Sequence, residues 1–584
     1  MRLFLFKHSF RLIFFLVLTF IATPIVKAAS PVPAVIGGVS YYVCSEGYGD
    51  NAVATYAYVS GPAADFAGIV NIEPQVTAIY KYTKTDEFGN PITDNQGNVL
   101  VVTRSLTAPV TTITNNAFKN KSVVSVAIPN SITTINDYAF SGCTGLTSVN
   151  IPNSVTAIGN SVFSGCTGLT SVGIHSSFIG NNMFSGCTGL TSVNISNSVT
   201  AIGNSAFYGC TGLSSVNIPN SVTAIGNFAF YGCTGLTSVN IPISVTAIGN
   251  YAYSGCTALT SATIPNSVTE IGERAFSSCR SLTTVTVPSS VITLGHDAFN
   301  HAGLKYASVD SKNIGSSAFY HCDSLETLII GNSVNMIEES AFSFCDNLRK
   351  IHMGNSIDTI GLNAFYGSRN VAEVHITDLN AWYKISYYDY KSTPFGSTSY
   401  DKSDGLFLNG NLIKEIIIPD TMTHINKCVF CGVNLSSLII PASVTSIGND
   451  AFWHCFYKNN ENSQPTSITC YAEVPPATGN DVFEGSVSST TCQYTVLHVP
   501  KGTIEAYKTA NTWRKFRNIE EIESDFTYGD VDGDGKIGIS DVTSLIDLLL
   551  NLNTTANLAA DVDGDGNVSI SDVTALIDML LQGR

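Results

Sequence analysis

Residues 146–168 read LTSVNIPNSVTAIGNSVFSGCTG, and close copies of this unit follow one another along the chain. Copies 21 to 23 residues apart begin at Leu146, Leu169, Leu190, Leu213, Leu236, Leu259 and Leu282. Weaker copies begin at Leu304, Leu325 and Leu348, an earlier one at Val123 and a later one at Leu435. A repeat of this length indicates a solenoid, because no unit can bury its apolar face alone and neighbours must stack into one core.

Each unit contains a short strand and a turn-rich remainder. Val149 and Ile151 alternate with Ser148 and Asn150, so one pair of side chains faces inward and the other outward. Pro152 follows the strand and blocks further ladder pairing. Several units also contain an Ala-Phe pair, as in Ala139-Phe140, Ala206-Phe207 and Ala229-Phe230. The large aromatic ring of this pair is expected to fill the interior of the coil. The unit therefore predicts stacked coils with a polar outward strand face.

The units carry the pattern Ile-Pro-x-Ser-Val-x-x-Ile-Gly-x-x-Ala-Phe-x-x-Cys, which resembles the BspA-type leucine-rich repeats of bacterial surface proteins. The resemblance runs from about Ile113 to Cys455, and residues 496–522 are similar to the closing segment of that family. It implies an α/β-type leucine-rich repeat solenoid over residues 113–524, with short strands on one side and irregular or short helical segments on the convex side. Residues 29–112 are interpreted as an N-terminal cap with a degenerate first repeat.

Two parts of the solenoid are candidates for contact with a partner. The outward strand positions repeat Ser and Asn, as Ser148 and Asn150, Ser192 and Asn194, Ser215 and Asn217, and Ser238 and Asn240. This polar ladder fits a glycan or an extended protein, and it fits equally a face that only confers solubility. The insert at 377–411 breaks the repeat and is rich in aromatics, namely Trp382, Tyr383, Tyr387, Tyr388, Tyr390 and Tyr400. Aromatics are enriched at interface hot spots; the alternative is that these side chains pack against the solenoid.

The fifteen cysteines divide into a regular set and a remainder. Ten take one position of successive units: Cys143, Cys166, Cys187, Cys210, Cys233, Cys256, Cys279, Cys322, Cys345 and Cys455. Stacked coils place such neighbours about 5 Å apart, but parallel side chains rarely reach disulfide geometry. This set is therefore predicted to be buried thiols. Cys428 with Cys431, and Cys470 with Cys492, lie outside it and are the candidates for disulfides.

No pattern of a catalytic site is present in the sequence. The Gly-x-Ser-x-Gly, His-Glu-x-x-His and phosphate-loop motifs are missing, and carboxylates are sparse across the solenoid, which disfavours a glycosidase pair. His352 and His375 occupy equivalent outward strand positions of adjacent units, beside Lys350 and Glu373. These four residues form either a binding patch or an ordinary solvated strand face.

The N-terminus and the composition indicate export. Basic residues precede an apolar run from Leu12 to Val26, and Ala28 offers a cleavage point, so residues 1–28 are predicted to be a signal peptide. The alternative is an uncleaved membrane anchor. Only 13% of residues are charged and the net charge is −16, which argues against a nucleic-acid partner. The mature chain is expected to be secreted or held at the cell surface, with no transmembrane span.

The C-terminal region has the residue spacing of two calcium loops. From Asp525 onward, eleven Asp stand against Lys536 and Arg584, a net charge of −9. Residues 530–541 and 561–572 each space oxygen ligands over twelve positions, as calcium loops do. The predicted ligands are Asp530, Asp532, Asp534, the backbone carbonyl of Lys536, and Asp541 in the first loop, and Asp561, Asp563, Asp565, Asn567 and Asp572 in the second. Because each loop leads into an amphipathic stretch, residues 525–584 are predicted to be a small all-α domain that binds two Ca²⁺ ions.

Two such loops, each followed by one helix, resemble a type I dockerin over about Gly529 to Leu581. The resemblance implies that calcium orders the domain and that the domain docks onto a cohesin-like domain of a scaffold or surface protein. The docking positions of the family fall on Ile539, Ser540, Ile546 and Asp547 in the first half, and on Ile570, Ser571, Ile577 and Asp578 in the second. The near identity of the halves implies docking in either orientation. Ile539 and Ile570 depart from the small hydroxyl residue that is common in the family.

The leading hypothesis is a non-catalytic, extracellular interaction protein. Its solenoid binds a host or bacterial protein or a glycan, and its C-terminal domain docks to a cohesin-bearing partner in a polysaccharide-degrading assembly. One alternative is an enzyme component of such an assembly with an unrecognised catalytic module. The other is an adhesin whose C-terminal domain is only a structural calcium clip.

Overall fold

The structure is a computed structural model that describes residues 32–36, 39–46, 53–62, 67–83, 96, 101–396, 405–456, 466–483, 491–522, 529–531, 537–550, 560–563 and 568–582. The predicted signal peptide and Tyr400 of the insert lie outside these residues. So do five of the predicted calcium ligands, namely Asp532, Asp534, Lys536, Asp565 and Asn567.

Each repeat forms one coil of a solenoid, and each coil has three sides. The first side is a short strand that pairs in parallel with the same strand of the next coil, as Val216 does with Val239. These valines are buried, whereas Ser215 and Asn217 beside the first of them are exposed. Strands of this side span Ala67–Asn71, Ser122–Ala127, Ser148–Ile151, Ser171–Ile174, Ser192–Ile195, Ser215–Asn217, Ser238–Asn240, Ser261–Thr263, Thr284–Val287, Tyr306–Val309, Thr327–Ile330, Lys350–His352, Glu373–Ile376, Gly405–Leu408, Glu415–Ile417, Ser437–Ile440, Ser467–Cys470, Val496–Val499 and Asn518–Glu521.

The second side is a ladder of two-residue parallel strands, where the family resemblance implied irregular or short helical segments. Ile202 pairs with Ile225, and Ile225 with Ile248, and all three side chains are buried. These strands span Thr134–Ile135, Ala157–Ile158, Ala201–Ile202, Ala224–Ile225, Ala247–Ile248, Glu270–Ile271, Thr293–Leu294, Asn313–Ile314, Met336–Ile337, Thr359–Ile360, Ser386–Tyr387, His424–Ile425, Ser446–Ile447 and Ala477–Thr478. The coil therefore has a backbone ladder on two of its sides.

The third side, called the turn side below, consists of two turns whose amides bond to the next coil. The amide of Phe228 donates to the carbonyl of Asn250 at 2.8 Å, and that of Phe230 to Ala252 at 2.7 Å. Both turns need a left-handed residue: Phe228 before the Ala-Phe pair (φ 57°) and Gly232 before the cysteine (φ 67°). Because these turns satisfy their backbone groups along the solenoid axis, the side needs no helix.

The N-terminal cap differs from the coils in being largely antiparallel. Its strands span Val32–Ile36, Val39–Glu46, Val53–Pro62, Gln75–Thr83 and Val101–Ile113. The first three pair antiparallel in order, and the last two form another antiparallel pair. The last strand ends in parallel pairing with Thr134–Ile135 of the first coil, so the cap leads directly into the ladder of the second side.

Stacked aromatic rings form the centre of the core, one ring from each coil. The series is Phe118, Phe140, Phe163, Phe184, Phe207, Phe230, Tyr253, Phe276, Phe299, Phe319, Phe342 and Phe365, all buried. Neighbouring centroids lie 5.0 to 5.6 Å apart, and the ring planes are nearly parallel. The spacing equals one coil, so the rings bind successive coils together.

One member of this series carries a hydroxyl group that is not needed for packing. The hydroxyl oxygen of Tyr253 is buried and has no hydrogen-bond partner in the described part of the chain. An unsatisfied buried polar group costs about 1–3 kcal/mol. Tyr253→Phe is therefore expected to raise the free energy of unfolding by about 1 kcal/mol or more, measured by denaturant titration. The reverse change at the neighbouring ring, Phe276→Tyr, is the control and should lower it; a lower stability for Tyr253→Phe would contradict this account.

The regular cysteines form a second buried row beside the rings, and the prediction of buried thiols is confirmed. The Sγ atom of Cys233 donates to the carbonyl oxygen of Phe207 at 3.1 Å. Ser368 takes the same position in its coil, and its hydroxyl donates to the carbonyl of Phe342 at 2.8 Å. Burial raises the pKa of the Cys233 thiol well above its usual value, so the group stays a protonated donor.

Neither candidate disulfide is formed in the structure, in which Cys428, Cys431, Cys470 and Cys492 are not disulfide-bonded. Cys428 and Cys431 lie at the two ends of a single turn, in which the amide of Cys431 donates to the carbonyl of Cys428 at 3.1 Å. The Sγ atom of Cys470 instead accepts a hydrogen bond from the hydroxyl of Tyr507 at 3.1 Å.

The insert continues both strand ladders, with Ser386–Tyr387 on the second side and Gly405–Leu408 on the first. Helix Leu379–Lys384 and the 3₁₀ turn Tyr390–Ser392 complete it. Trp382, Tyr383 and Tyr387 are buried. The indole nitrogen of Trp382 donates to the carbonyl of Val429 at 2.9 Å, while Tyr388 is 60% exposed. The structure therefore supports packing against the solenoid, rather than a contact site, for the three buried aromatics.

The C-terminal part closes the solenoid and then forms a separate helical core. Helices Thr491–Tyr494 and Ile504–Thr509 and the 3₁₀ turn Trp513–Lys515 belong to the closing segment, in which Tyr507 and Trp513 are buried. Helices Ile539–Leu550 and Ile570–Gln582 follow, with a core of Val531, Leu545, Ala560 and Leu576. The predicted class, a leucine-rich repeat solenoid with a small helical domain, is confirmed.

Candidate functional sites

Three carboxylates meet in the second predicted calcium loop. One oxygen from each of Asp561, Asp563 and Asp572 lies within 4.8 Å of the other two. Asp561 and Asp572 are buried, and Asp563 is exposed. Carboxylates at this distance repel one another unless a cation lies between them, and loop positions one, three and twelve are those that bind Ca²⁺. The residues of this loop therefore fit a calcium ion.

The carboxylate at position twelve also fixes the start of the helix that follows. In the second loop, the amide of Ser569 donates to Oδ2 of Asp572 at 2.6 Å, and the amide of Asp563 donates to Oδ1 at 3.1 Å. In the first loop, the amide of Gly538 donates to Oδ2 of Asp541 at 2.6 Å. Ser569 and Gly538 each directly precede a helix, where backbone amides lack partners within the helix. In each loop, the carboxylate at position twelve thus connects the calcium loop with the helix that follows it.

Burial affects the charge of the carboxylate at position twelve of the second loop. Desolvation raises the pKa of Asp572, and the charge of Asp563 raises it further, against the lowering effect of backbone hydrogen bonds. A cation in the loop would favour the charged form again. The first loop repeats the buried pair with Asp530, 5% exposed, and Asp541, fully buried. Its other predicted ligands lie outside the described residues.

Exposed isoleucines mark the helices that follow the loops. Ile539 and Ile570 are 82% and 79% exposed, and Ile546 and Ile577 are 40% and 41% exposed. Isoleucine is among the residues most often buried in a folded protein. A first docking patch is defined by Ile539, Ser540, Ile546 and Asp547, and a second docking patch by Ile570, Ser571, Ile577 and Asp578, all exposed. The structure thus places the eight predicted docking residues on two equivalent surfaces.

Comparison with known families accounts for both parts of the chain. A family model described as the BspA type leucine rich repeat region matches residues 111–200, 177–305 and 401–472, with six copies. A second model, the dockerin type I domain, matches residues 528–581. The chain carries BspA-type leucine-rich repeats and a type I dockerin domain. Both resemblances noted in the sequence are therefore confirmed.

Solved structures of bacterial leucine-rich repeat proteins are similar to the chain. A leucine-rich repeat protein from Bacteroides ovatus is 23% identical, with 84% of this chain and 100% of that chain covered and a TM-score of 0.47. A leucine rich cell surface protein from Faecalibacterium prausnitzii is 27% identical over 61% of this chain and 98% of its own, with a TM-score of 0.36. The pneumococcal vaccine antigen PcpA is 14% identical, with 84% of this chain and 98% of that chain covered and a TM-score of 0.23. No curated protein matches the chain.

The two domain types support a role in protein interaction, with cohesin docking at the dockerin domain. Both are typically non-catalytic and are typical of extracellular or surface proteins, and type I dockerins generally bind calcium. None of the helices in the described ranges combines the length and the apolar character needed to span a bilayer.

The outward strand face of the repeats changes character along the solenoid. Its Ser and Asn ladder gives way to stacked imidazoles of His352 and His375, with centroids 4.8 Å apart. The carboxylate of Glu373 lies 2.9 Å from the ammonium of Lys350 and 2.8 Å from Nε2 of His375. These contacts lower the pKa of Glu373, and burial with the neighbouring His375 lowers that of His352. The four side chains mainly bind one another, which favours an ordinary strand face over a binding patch.

A surface feature on the turn side was missed by the sequence interpretation. In the described coils, the left-handed residue of the second turn is glycine in eight, at Gly142, Gly165, Gly186, Gly209, Gly232, Gly255, Gly367 and Gly432, and it is Asn120, Ser278 or His454 in three others. Three successive later coils carry His301, His321 and Phe344 there, with φ of 55°, 55° and 57°. A side chain in this conformation costs roughly 1–2 kcal/mol. The replacement of a repeated glycine by His or Phe is the signal that could have identified this site.

These residues belong to an aromatic cluster, defined as His301, Tyr320, His321, Phe344 and Tyr366. The imidazoles of His301 and His321 stack at 5.0 Å, and His321 and Phe344 stack at 4.9 Å. An aromatic pair contributes roughly 0.5–1.5 kcal/mol, and Tyr320 and Tyr366 add four edge-on pairs to the two stacked ones, so the ring contacts offset the cost of the left-handed backbone. Gly367 ends the stack, because a Cβ atom there would lie 2.6 Å from the Phe344 ring.

Proposed function

We propose that the chain is an exported cell-surface interaction protein whose dockerin domain binds two Ca²⁺ ions and docks to a cohesin-like domain, within a polysaccharide-degrading assembly. One ion is held by Asp530, Asp532, Asp534, Lys536 and Asp541, and the other by Asp561, Asp563, Asp565, Asn567 and Asp572. Residues 113–524 present a contact surface for a protein or a glycan. Residues 29–112 cap this solenoid, residues 525–584 form the dockerin domain, and residues 1–28 are removed on export.

The observation that carries the proposal is the exposure of four isoleucines beside the two calcium loops. Burying an isoleucine side chain is worth about 1.5–3 kcal/mol, and exposed apolar groups of this kind mark interaction surfaces. Asp541 and Asp572 bond to the amides that precede the two helices. Calcium bound by these carboxylates would therefore hold both docking patches in place.

Docking is expected to require calcium and to tolerate the loss of either patch alone. The immobilised full-length protein should retain a type I cohesin domain in calcium and release it in EGTA. Substitution of Ile539 and Ile546 by Asp should weaken retention only about two-fold, because the second patch remains. Adding the same changes at Ile570 and Ile577 should weaken it a hundred-fold or more, since buried hot-spot residues contribute 2 kcal/mol or more each.

The control for this experiment is Leu581→Asp, which changes a residue that is 80% exposed on the same helix as the second patch. It should leave retention unchanged. Failure to retain the cohesin domain in calcium contradicts docking and leaves an adhesin with a structural calcium clip. Retention in EGTA contradicts the calcium requirement, and retention by the variant that lacks all four isoleucines contradicts the two docking patches. Turnover of a polysaccharide by the purified full-length chain contradicts the non-catalytic role and favours the enzyme alternative.

A further inference from the structure

We infer that the aromatic cluster on the turn side binds a glycan chain lying along the solenoid axis. The inference rests on the proposed binding role of the solenoid and names its ligand. His301, His321 and Phe344 are large rings in three successive coils, at a position where eight other described coils have glycine. None of the three belongs to the ring series of the core, and His301 is exposed. Packing of the core therefore does not account for this run of three rings.

The cluster presents rings in two orientations. The stacked rings of His301, His321 and Phe344 advance one coil at a time. Tyr320 and Tyr366 stand nearly perpendicular to Phe344, at 81° and 80°, with centroids 5.6 and 5.4 Å from it. In the coil between the two tyrosines, the equivalent residue is Ser343, whose side chain is small and buried. The tyrosine rings therefore border a stretch of surface with Phe344 between them.

A glycan matches this surface in chemistry and in spacing. Sugar rings have apolar C–H faces and hydroxyl edges, and Tyr and His rings offer apolar faces with polar groups at their edges. The stack advances about 5 Å per coil, which is similar to the advance per sugar ring in an extended glycan. Successive sugars would therefore meet equivalent positions of successive coils.

The charge and composition of the cluster argue against other ligands. The ammonium of Lys391 lies 5.1 Å from the centroid of Tyr366, and the carboxylate of Asp323 lies 3.1 Å from Nδ1 of His321. Because charges of both signs border the cluster, a neutral glycan fits it better than a strongly charged ligand. The five cluster residues include no aliphatic side chain, which an amphipathic helix needs in its groove, and lie on turns rather than on a strand edge that a peptide could extend. The glycan is the ligand that the surface fits best.

The test uses the full-length protein and affinity electrophoresis in gels that contain soluble xylan, glucomannan, polygalacturonate or mucin. The wild type is expected to be retarded by at least one of them. The variant His301→Gly with His321→Gly and Phe344→Gly places the usual glycine in the turn, so the left-handed backbone is kept and the variant should fold, which its circular dichroism spectrum checks. Its affinity for the same polysaccharide should fall ten-fold or more.

The matched control is Tyr208→Ala with Tyr231→Ala, which removes a stacked pair, 4.9 Å apart, from the same side of earlier coils. It should keep wild-type affinity. The inference is overturned if no polysaccharide retards the wild type, if the glycine variant binds as the wild type does, or if the control loses as much affinity. The inference is also overturned if a partner still binds to the cluster after the partner has been treated with glycosidase but no longer binds after treatment with protease. In that case the ligand is a protein, and the binding role of the solenoid stands. Cohesin retention, measured on the same samples, shows separately whether the docking proposal holds.

Discussion

Removal of calcium with EGTA is expected to unfold the dockerin domain while the solenoid stays folded. In the described residues, the core of this domain contains only Val531, Leu545, Ala560 and Leu576. A core of this size rarely supplies more than about 3–5 kcal/mol. Each calcium site at a hundred times its Kd adds about 2.7 kcal/mol. Loss of two ions therefore removes about as much free energy as the domain has, and leaves buried carboxylates repelling one another.

The measurement is far-UV circular dichroism during chelation and re-addition of calcium, with calorimetric titration to count the ions. The helical signal should fall in EGTA and return with Ca²⁺, because Ile539–Leu550 and Ile570–Gln582 hold most of the helical residues described. Asp572→Asn, in the buried loop position, should weaken the second site at least ten-fold. The control Asp578→Asn alters an exposed carboxylate of the same helix and should keep the calcium response. A helical signal unaffected by EGTA contradicts the calcium assignment.

Phe230→Ala is expected to destabilise the solenoid by about 3–5 kcal/mol, the range for buried phenylalanine. The ring is fully buried and lies 5.2 Å from both Phe207 and Tyr253. Its loss would break two stacked pairs at once and leave a cavity that the rigid ladders on either side cannot close. Because each repeat contacts only its neighbours, the coils around residue 230 should unfold first.

Urea unfolding followed by near-UV circular dichroism measures this loss, and hydrogen exchange locates it. Tyr231→Ala is the control, because this half-buried ring is the next residue and stacks on Tyr208 outside the core. Tyr231→Ala should lower the free energy of unfolding by no more than about 1 kcal/mol. Equal losses for the two variants, or unfolding that spreads evenly over the solenoid, would show that the ring series does not hold the coils together.

The features that could be predicted from the sequence are those determined by residues within a single repeat unit or loop. The alternation around Val216 indicates which side chains face inward, and the repeated cysteine, such as Cys233, indicates a buried row; both are found. The calcium loops are local in the same sense, because twelve residues contain all the ligands. Asp561, Asp563 and Asp572 accordingly meet, as their spacing predicts.

The features that could not be predicted depend on contacts between coils. Trp382 reads as an exposed aromatic, yet it is buried because the carbonyl of Val429, 47 residues later, accepts its indole N–H. The two-residue strands of the second side are too short to recognise before their partners are known. Ile539 and Ile570 were placed by family resemblance alone, and only the structure shows how exposed they are.

The aromatic cluster could be predicted from the sequence only in part. The change from glycine to His301, His321 and Phe344 is visible in the aligned repeats. Its meaning depends on the left-handed backbone at that position and on the ring contacts between coils. Without that backbone information, the three residues look like ordinary variation in a turn.

The near identity of the early coils has a consequence for how such a protein can change in length. Between Leu146 and Leu282 each coil meets a neighbour of almost the same sequence, so a whole coil can be gained or lost by recombination between repeats without creating a new type of interface. All such events fall on the N-terminal side of His301. They lengthen or shorten the reach of the molecule, while the number of coils between the aromatic cluster and the dockerin domain stays constant.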